Sequence, residues 1–407
     1  MARAKRVDNK GRVLRVGESQ NKDGRYCYKW TDSNGKRSTV YALTLAELRK
    51  KEEQIKRDQM DGIYTKGGNL TLNEFFRLFM STKKNIRDST RCNYKSYWKN
   101  AIAPSALGIM KISEIKQIHV KRLYADLLEK GYSPGTIRAY HIILSECLQA
   151  AVDSDMIRKN PAKGSRKGID KEVSRKRALT IEEQEIMLEF TRKSNSYKIH
   201  YPLIVFALST GLRVGELGGL LWDDIDLEKN MIHVRRQLVY RNLDGTGCKF
   251  HIQPLKTEAG ERDIPLTKTA KKALMKQREY DMLLGKRAKE QPVDGLKNFV
   301  FLNHQGNQLA PQVLDSALRN IIKAYNKKEL KQADKEHREP FLLPHISAHI
   351  LRHTFCTRAA ESGVDVKSLQ YIMGHADITM TMERYNHVDE VRVQNEMSKT
   401  EGIVKIG

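Results

Sequence analysis

The sequence predicts a mainly α chain with small β-sheets, a multidomain α+β architecture. Three observations carry this. The chain has 407 residues, which at roughly 100–200 residues per domain means two to four domains. Near the front, Gly24–Trp30 alternates polar and aromatic residues, the period of a half-exposed strand. Most of the remainder spaces its apolar residues as helices do, in blocks bounded by Gly and Pro.

The elements follow in order. Asn34-Gly35 marks a tight turn, with Lys36–Tyr41 as the returning strand. A short strand around Arg12–Val16 would complete a three-stranded sheet, covered by a charged helix from Thr44 to about Met60. Residues 1–68 hold 17 Lys/Arg and 9 Asp/Glu, so this small module is basic, and its sheet suits a DNA groove through Arg25, Lys29, Lys36 and Arg37. Gly67-Gly68-Asn69 is a linker, and 69–162 forms a helical domain. Thr71–Ser81 places Leu72, Phe75, Phe76 and Phe79 on one face. A helix from Asp88 carries Tyr94, Tyr97 and Trp98, and Lys116–Lys130 and Ser133–Asp153 add two more. The aromatic stripe reads as core. Lys83, Lys84, Arg87, Arg91, Lys95 and Lys99 form the better DNA-contact face.

Residues 163–176 are basic and aperiodic, an interdomain linker. Thr180-Ile-Glu-Glu183 is a capping box that opens a third domain, 177–395. Helices run to Leu220. Met231–Tyr240, Phe250–Gln253 and Arg262–Pro265 read as three short strands, and helices resume at Thr267–Lys286 and continue to about Met397. Residues 396–407 are a tail, in which Gly402–Gly407 reads as a short apolar strand able to join a neighbour's sheet edge.

Charge narrows the function. With 73 Lys+Arg against 49 Asp+Glu the net charge is +24, and such an excess points to a polyanion, because cations that neutralise phosphates release counterions. An anionic membrane would ask for one polybasic tract. Here the charge runs along the whole chain, which favours nucleic acid. The longest apolar run, Tyr201–Leu208, is too short to span a bilayer, and no apolar segment follows the basic start. Cys27, Cys92, Cys147, Cys248 and Cys356 are odd in number and scattered, so they read as small buried hydrophobes in a reducing cytoplasm.

Four segments carry chemistry. In Thr210-Gly-Leu-Arg213-Val-Gly-Glu216, Arg213 stands at a helix start and Glu216, three residues on, orients its guanidinium to offer two N–H groups to a phosphate. Lys256 falls where two strands should turn, on a hairpin tip that can reach a cleft and protonate a leaving oxygen. In His349-Ile-Leu-Arg352-His353, His349 and Arg352 share a helix face, a proton carrier beside a phosphate clamp. His345, His349 and His353 have a metal-like spacing, but no carboxylate or cysteine joins them and Pro344 interrupts the helix, so no metal site is expected. Last, Gly374-His375 turns into a helix that ends near Tyr385. Together these residues make a phosphate site with a tyrosine nucleophile: Arg213, Arg352 and His375 stabilise a five-coordinate phosphorane and Tyr385 attacks.

The four segments, in this order, resemble the signature boxes of the tyrosine recombinase (phage integrase) family, and no catalytic position departs from its pattern. The 69–162 block resembles that family's core-binding domain. The N-terminal module, through Gly17–Tyr26, is similar to the arm-binding domain of integrases from conjugative transposons. The resemblance implies that Tyr385 forms a 3′-phosphotyrosyl link and releases a 5′-hydroxyl, that Lys256 protonates the leaving oxygen, and that His349 assists proton transfer. It implies no cofactor. It also implies core and arm sites on double-stranded DNA, four protomers exchanging strands through a Holliday junction, an accessory excision factor, and a bacterial cytoplasmic, nucleoid-associated setting. The alternatives are DNA relaxation of the type IB topoisomerase kind and a catalytically idle DNA-binding protein. The separate basic module favours the recombinase.

Overall fold

The computed structural model describes residues 6–31, 37–60, 70–169, 177–243, 246–303 and 305–385, for 58–60 and 383–385 the backbone alone. The chain divides into two compact units, Met1–Ser174 and Arg175–Gly407.

The first unit begins with an antiparallel sheet of β1 (Glu18–Gln20), β2 (Tyr26–Thr31) and β3 (Arg37–Ala42), in that spatial order, covered by helix α1 (Leu45–Met60). Tyr26, Tyr28 and Trp30 alternate onto the face packed with Leu45 and Leu48. The first strand lies later than the expected Arg12–Val16. Gly17, at φ +89°, turns the chain where an added Cβ would stand 2.7 Å from the Tyr28 ring, and Glu18 accepts from the Arg15 amide at 2.7 Å. Of the expected first strand, Val13 makes an isolated bridge to Val7. The Asn34-Gly35 turn and Lys36 lie outside the described residues, as do Gly67-Gly68-Asn69.

The helices of this unit follow the predicted apolar spacing. Helix α2 (Leu72–Thr82) starts at a Thr71–Glu74 capping box, and α3 (Asp88–Tyr97) runs into a wider π turn, Trp98–Ile102. A single turn α4 (Ala106–Ile109) precedes α5 (Gln117–Glu129) and α6 (Pro134–Asp153), the latter capped by Ser133. Their core holds Leu72, Phe76, Trp98, Tyr124 and Leu144, with Phe76 stacked on Trp98 at 3.7 Å between centroids. The aromatic stripe is therefore core. The expected linker 163–176 is not all linker: Ser165 is buried, Ile169 packs on the helical core, and Gln117 donates to the Lys163 carbonyl at 2.8 Å. Small side chains at Ala162, Gly164 and Ser165 let this backbone lie close to the helices. Residues 170–176 lie outside the described set.

The second unit opens with α7 (Ile181–Lys193) behind the Thr180–Glu183 capping box, then α8 (Tyr201–Thr210) and α9 (Val214–Gly219). Strands β4 (Ile225–Asp226), β5 (Met231–Val234), β6 (Arg236–Arg241), β7 (Lys249–Pro254) and β8 (Arg262–Pro265) form two sheets, β4-β5-β8 and β6-β7, all antiparallel. The expected single strand Met231–Tyr240 is thus two strands. Val234 pairs with Arg262 and Arg236 with Pro254, so the chain changes partner at Arg235.

Helices α10 (Lys268–Leu283), α11 (Pro311–Glu336), α12 (Ala348–Glu361), α13 (Val366–Met373) and α14 (Thr379–Tyr385) complete the described unit. The helical run expected beyond Lys286 is broken over 290–310. Positive φ at Asp294, Gly295, Asn298 and Gly306 bends the chain there into turns and isolated bridges. One core, including Phe206, Leu217, Ile232, Leu274, Ile321 and Leu351, joins helices and the larger sheet. Among the described residues no helix is long and apolar enough to cross a membrane.

Candidate active site

Arg213 stands just ahead of α9, in extended conformation, and its amide donates to Glu216 Oε2 at 2.9 Å while its Nη1 donates to Oε1 at 2.7 Å. The predicted i,i+3 pair is therefore also a helix cap. Its second nitrogen, Nη2, donates to the Gly374 carbonyl at 2.8 Å. Arg352, on α12, is 5% exposed; it donates through Nη1 to the Gly211 carbonyl at 2.7 Å and through Nη2 to the Met373 carbonyl at 2.5 Å.

A third arginine joins them. Arg262, on β8, has a fully buried side chain and pairs with Glu216 through Nη2–Oε2 at 2.9 Å. Its Nε donates to the Ile372 carbonyl at 2.7 Å. Three guanidinium groups thus converge on consecutive carbonyls, Ile372, Met373 and Gly374, at the end of α13. The last carbonyls of a helix have no partner within it and carry the negative end of its dipole, so they are natural acceptors for cations.

Sequence reading passed over Arg262. Its signal was register: on a strand Arg262 and Ile264 face the same way, and Ile264 is core.

The electrostatics are lopsided. Burial by itself raises the Glu216 carboxyl, but Arg262 above all, with Arg213 and Arg352, overrides this and holds it below its ordinary range. One carboxylate faces three guanidinium groups, which leaves a surplus of positive charge. Burial first, and then Arg213, press the Arg352 guanidinium down to about 9, against the pull of Glu216. It stays charged at neutral pH. An oxyanion arriving beside Arg213, whose side chain keeps 41% exposure, relieves that repulsion.

His375 follows directly. Its amide donates to the Gln370 carbonyl at 3.1 Å, and its Nδ1 lies 2.9 Å from Thr381 Oγ1, which fixes the ring. Thr381 is on α14, the helix that ends at Tyr385 one turn further on. The Tyr385 side chain is outside the described set.

Arg213, Glu216, Arg352 and His375 therefore come together. Lys256 and His349 are exposed rather than buried among them. Lys256 is not on a hairpin tip: β7 and β8 belong to different sheets, and it lies in the 255–261 connection between them. That connection still borders the site, because an added Cβ on Gly374 would be 3.1 Å from the Ala259 carbonyl. His349 lies in the first turn of α12, facing out where Arg352 faces in. His345 precedes the helix, and no group of three His, Cys, Asp or Glu is placed to hold a metal among the described residues.

Two glycines at positive φ, Gly211 and Gly374, make the geometry possible. Gly211 ends α8 at φ +62°, and a Cβ there would lie 2.3 Å from Phe355 Cδ1. Gly211→Ala is expected to displace the carbonyl that Arg352 uses. Left-handed backbone strain costs about 1–3 kcal/mol, and about a tenfold loss of cleavage rate should accompany it. Thermal melting and covalent DNA capture check this together; a variant that melts and cuts like the parent would refute it.

The DNA-contact candidates separate. Lys29, Arg37, Thr39 and Tyr41 share the sheet face opposite α1, with Arg25 held beside Asp23 and 5.8 Å over the Tyr41 ring. In the helical domain Lys84, Arg87, Lys95 and Lys99 are exposed. Lys83 is paired with Glu146, and Arg91 donates to the Lys83 carbonyl at 2.7 Å, so both have work inside the fold. Lys36 is outside the described residues.

A helical domain that gathers three arginines around one carboxylate, next to a tyrosine-bearing helix, has known counterparts. The chain belongs to the phage integrase family, whose match spans residues 177–392. The DNA binding domain of Tn916 integrase matches residues 2–59, and the phage integrase N-terminal SAM-like domain matches 71–128.

Particular relatives are similar along nearly their whole length. The transposase from transposon Tn916 of Enterococcus faecalis is 34% identical, over 97% of this chain and 96% of that protein. A XerC-like tyrosine recombinase of Caldanaerobacter subterraneus is 30% identical, over 90% of this chain and 94% of that protein. A solved portion of the Tn1549 transposon integrase, in complex with a circular intermediate DNA, is 29% identical with a TM-score of 0.70, covering 81% of this chain and 99% of the solved portion. A lambda integrase dimer, 18% identical with a TM-score of 0.55, shares the fold.

Proposed function

We propose that the chain is the integrase of a mobile element, a tyrosine site-specific recombinase that cuts and rejoins double-stranded DNA to integrate and excise that element. The observation that carries this is the surplus of guanidinium charge at the end of α13, twelve residues before Tyr385. Such a site fits the extra negative charge of a phosphorane.

The residues take these roles. Tyr385 Oη attacks the phosphorus, the bond from phosphorus to the 5′-oxygen breaks, and a 3′-phosphotyrosyl link forms. His349 takes the phenolic proton, and Lys256 gives a proton to the leaving 5′-oxygen. Arg213, Arg352 and His375 stabilise the equatorial oxygens, and Glu216 orients Arg213. Attack by a 5′-hydroxyl on the phosphotyrosine reverses each transfer and joins a new strand. The basic sheet face with Lys29 and Arg37 takes an arm site, and Lys84, Arg87 and Lys95 border a core site, with Lys83 and Arg91 shaping that surface. Four protomers act through a Holliday junction, an accessory factor governs excision, and the protein works at the nucleoid in the cytoplasm.

The test is a nicked suicide duplex from the DNA flanking the gene, incubated with the protein in EDTA and run on a denaturing gel. A slow-migrating protein–DNA adduct is expected. Clear binding in a native gel with no adduct on that duplex or on supercoiled plasmid would favour the idle binding protein. Relaxation of plasmid with no recombinant product would favour the topoisomerase. For assembly, deleting residues 398–407, outside the described set, should weaken tetramer formation more than DNA binding; unchanged tetramers in the truncated chain would sink the tail's role.

A further inference from the structure

We infer that Arg262 is a positioning residue for DNA cleavage, which from inside the fold fixes Arg213, the Lys256 connection and the His375 turn relative to one another. This rests on the recombinase reading above.

The Arg262 side chain is 0% exposed, so it has no path to DNA and acts through its neighbours. Nη1 donates to the Gly260 carbonyl at 2.8 Å and to Glu216 Oε1 at 3.3 Å, Nη2 donates to Glu216 Oε2 at 2.9 Å, and Nε donates to the Ile372 carbonyl at 2.7 Å. Those partners lie on three separate segments. One is α9, immediately behind Arg213. One is the 255–261 connection that carries Lys256. One is the end of α13, three residues before His375. Each segment bears a residue proposed for the chemistry, and the Arg262 side chain contacts all three.

The packing leaves little latitude. An added Cβ on Gly374 would stand 2.9 Å from Arg262 Nη1, and one on Gly260 would stand 2.8 Å from Leu255 Cβ. Backbone therefore lies directly against the guanidinium, and only a planar fork of that length serves all four acceptors.

Charge supplies the second half. The charged groups that face Glu216 are Arg262 on β8, Arg213 ahead of α9 and Arg352 on α12. Arg262 is the strongest of the three in keeping Glu216 ionised against its burial. An ionised Glu216 holds Arg213 by both its amide and its Nη1. Without Arg262, Glu216 takes up a proton more readily, and Arg213 loses its orientation whenever that happens.

The experiment uses the full chain with Arg262→Gln, Arg262→Lys and the neutral pair Arg262→Met with Glu216→Gln. Single-turnover adduct formation on the nicked duplex is followed between about pH 5 and 9, beside duplex affinity and thermal melting. Arg262→Gln should slow adduct formation about 100-fold while duplex affinity stays within about threefold, since many other phosphate contacts remain. Its acid limb should move to higher pH, because the Glu216 carboxyl then titrates higher and the rate is lost as pH falls through that raised value. The neutral pair should lack the moved limb.

A merely structural arginine would change melting and overall rate without moving the limb. An unmoved limb, or a parental rate, overturns the inference. If Arg262→Gln does not fold, Arg262→Lys decides by the same limb: a smaller upward move supports the inference and an unmoved profile overturns it. Absence of adduct with the unmutated chain on every substrate overturns the recombinase reading and this inference with it. Adduct in the parent with an unmoved limb in the variants overturns the role of Arg262 alone.

Discussion

Tyr385→Phe is expected to abolish covalent capture of DNA and to leave duplex binding nearly unchanged. The substitution keeps the ring and removes one oxygen. Removal of a nucleophile is the largest single loss a covalent mechanism can suffer, about a million-fold in well-studied hydrolases, so adduct should fall to background on a denaturing gel. Binding should persist, because affinity comes from many Lys and Arg contacts to phosphates. Position supports the choice. Tyr385 ends the helix whose Thr381 holds His375, which puts its backbone one helical turn from the site. The nearest rival in sequence, Tyr371, uses its hydroxyl to accept from the Asp263 amide at 3.1 Å. Adduct that survives Tyr385→Phe would refute the assignment, and Tyr371→Phe would then be the next variant to run.

Arg352→Lys comes second. The guanidinium bridges the Gly211 and Met373 carbonyls and is 5% exposed. A lysine keeps the charge, but one ammonium cannot span two carbonyls and also meet a phosphate in a fork. The loss should be about a thousand-fold in adduct rate, the scale for deleting one preorganised donor to a transition state. Duplex affinity should change little. In the parent, burial and then Arg213 press this guanidinium below its ordinary value, so an arriving phosphate oxygen relieves its repulsion. A lysine variant with a rate within tenfold of the parent would mean that Arg352 is structural.

Much of this site was legible because its parts are local. Arg213 and Glu216 are three residues apart, and a helix start converts that spacing into a hydrogen bond. Thr71–Glu74 and Thr180–Glu183 were readable as capping boxes for the same reason. The family resemblance then joined segments that spacing alone leaves separate. What stayed hidden depends on distant partners. Arg262 looks like an ordinary strand arginine until Glu216, 46 residues earlier, and Ile372, 110 residues later, are placed beside it. Lys83 and Arg91 look like free surface cations until Glu146 and the end of α2 are seen beside them. The split of Met231–Tyr240 also escaped notice, because both halves have strand periodicity and only their pairing partners differ.

The end of α13 has a consequence for how the protein is made. Arg213 reaches Gly374 across 161 residues, Arg262 reaches Ile372 across 110, and Arg352 reaches Met373 across 21. All three arginines leave the ribosome before the carbonyls that hold them. A nascent chain that has emerged only through α12 has none of these three acceptors, and so no assembled clamp. The three arginines gain their shared acceptors only when the end of α13 has emerged.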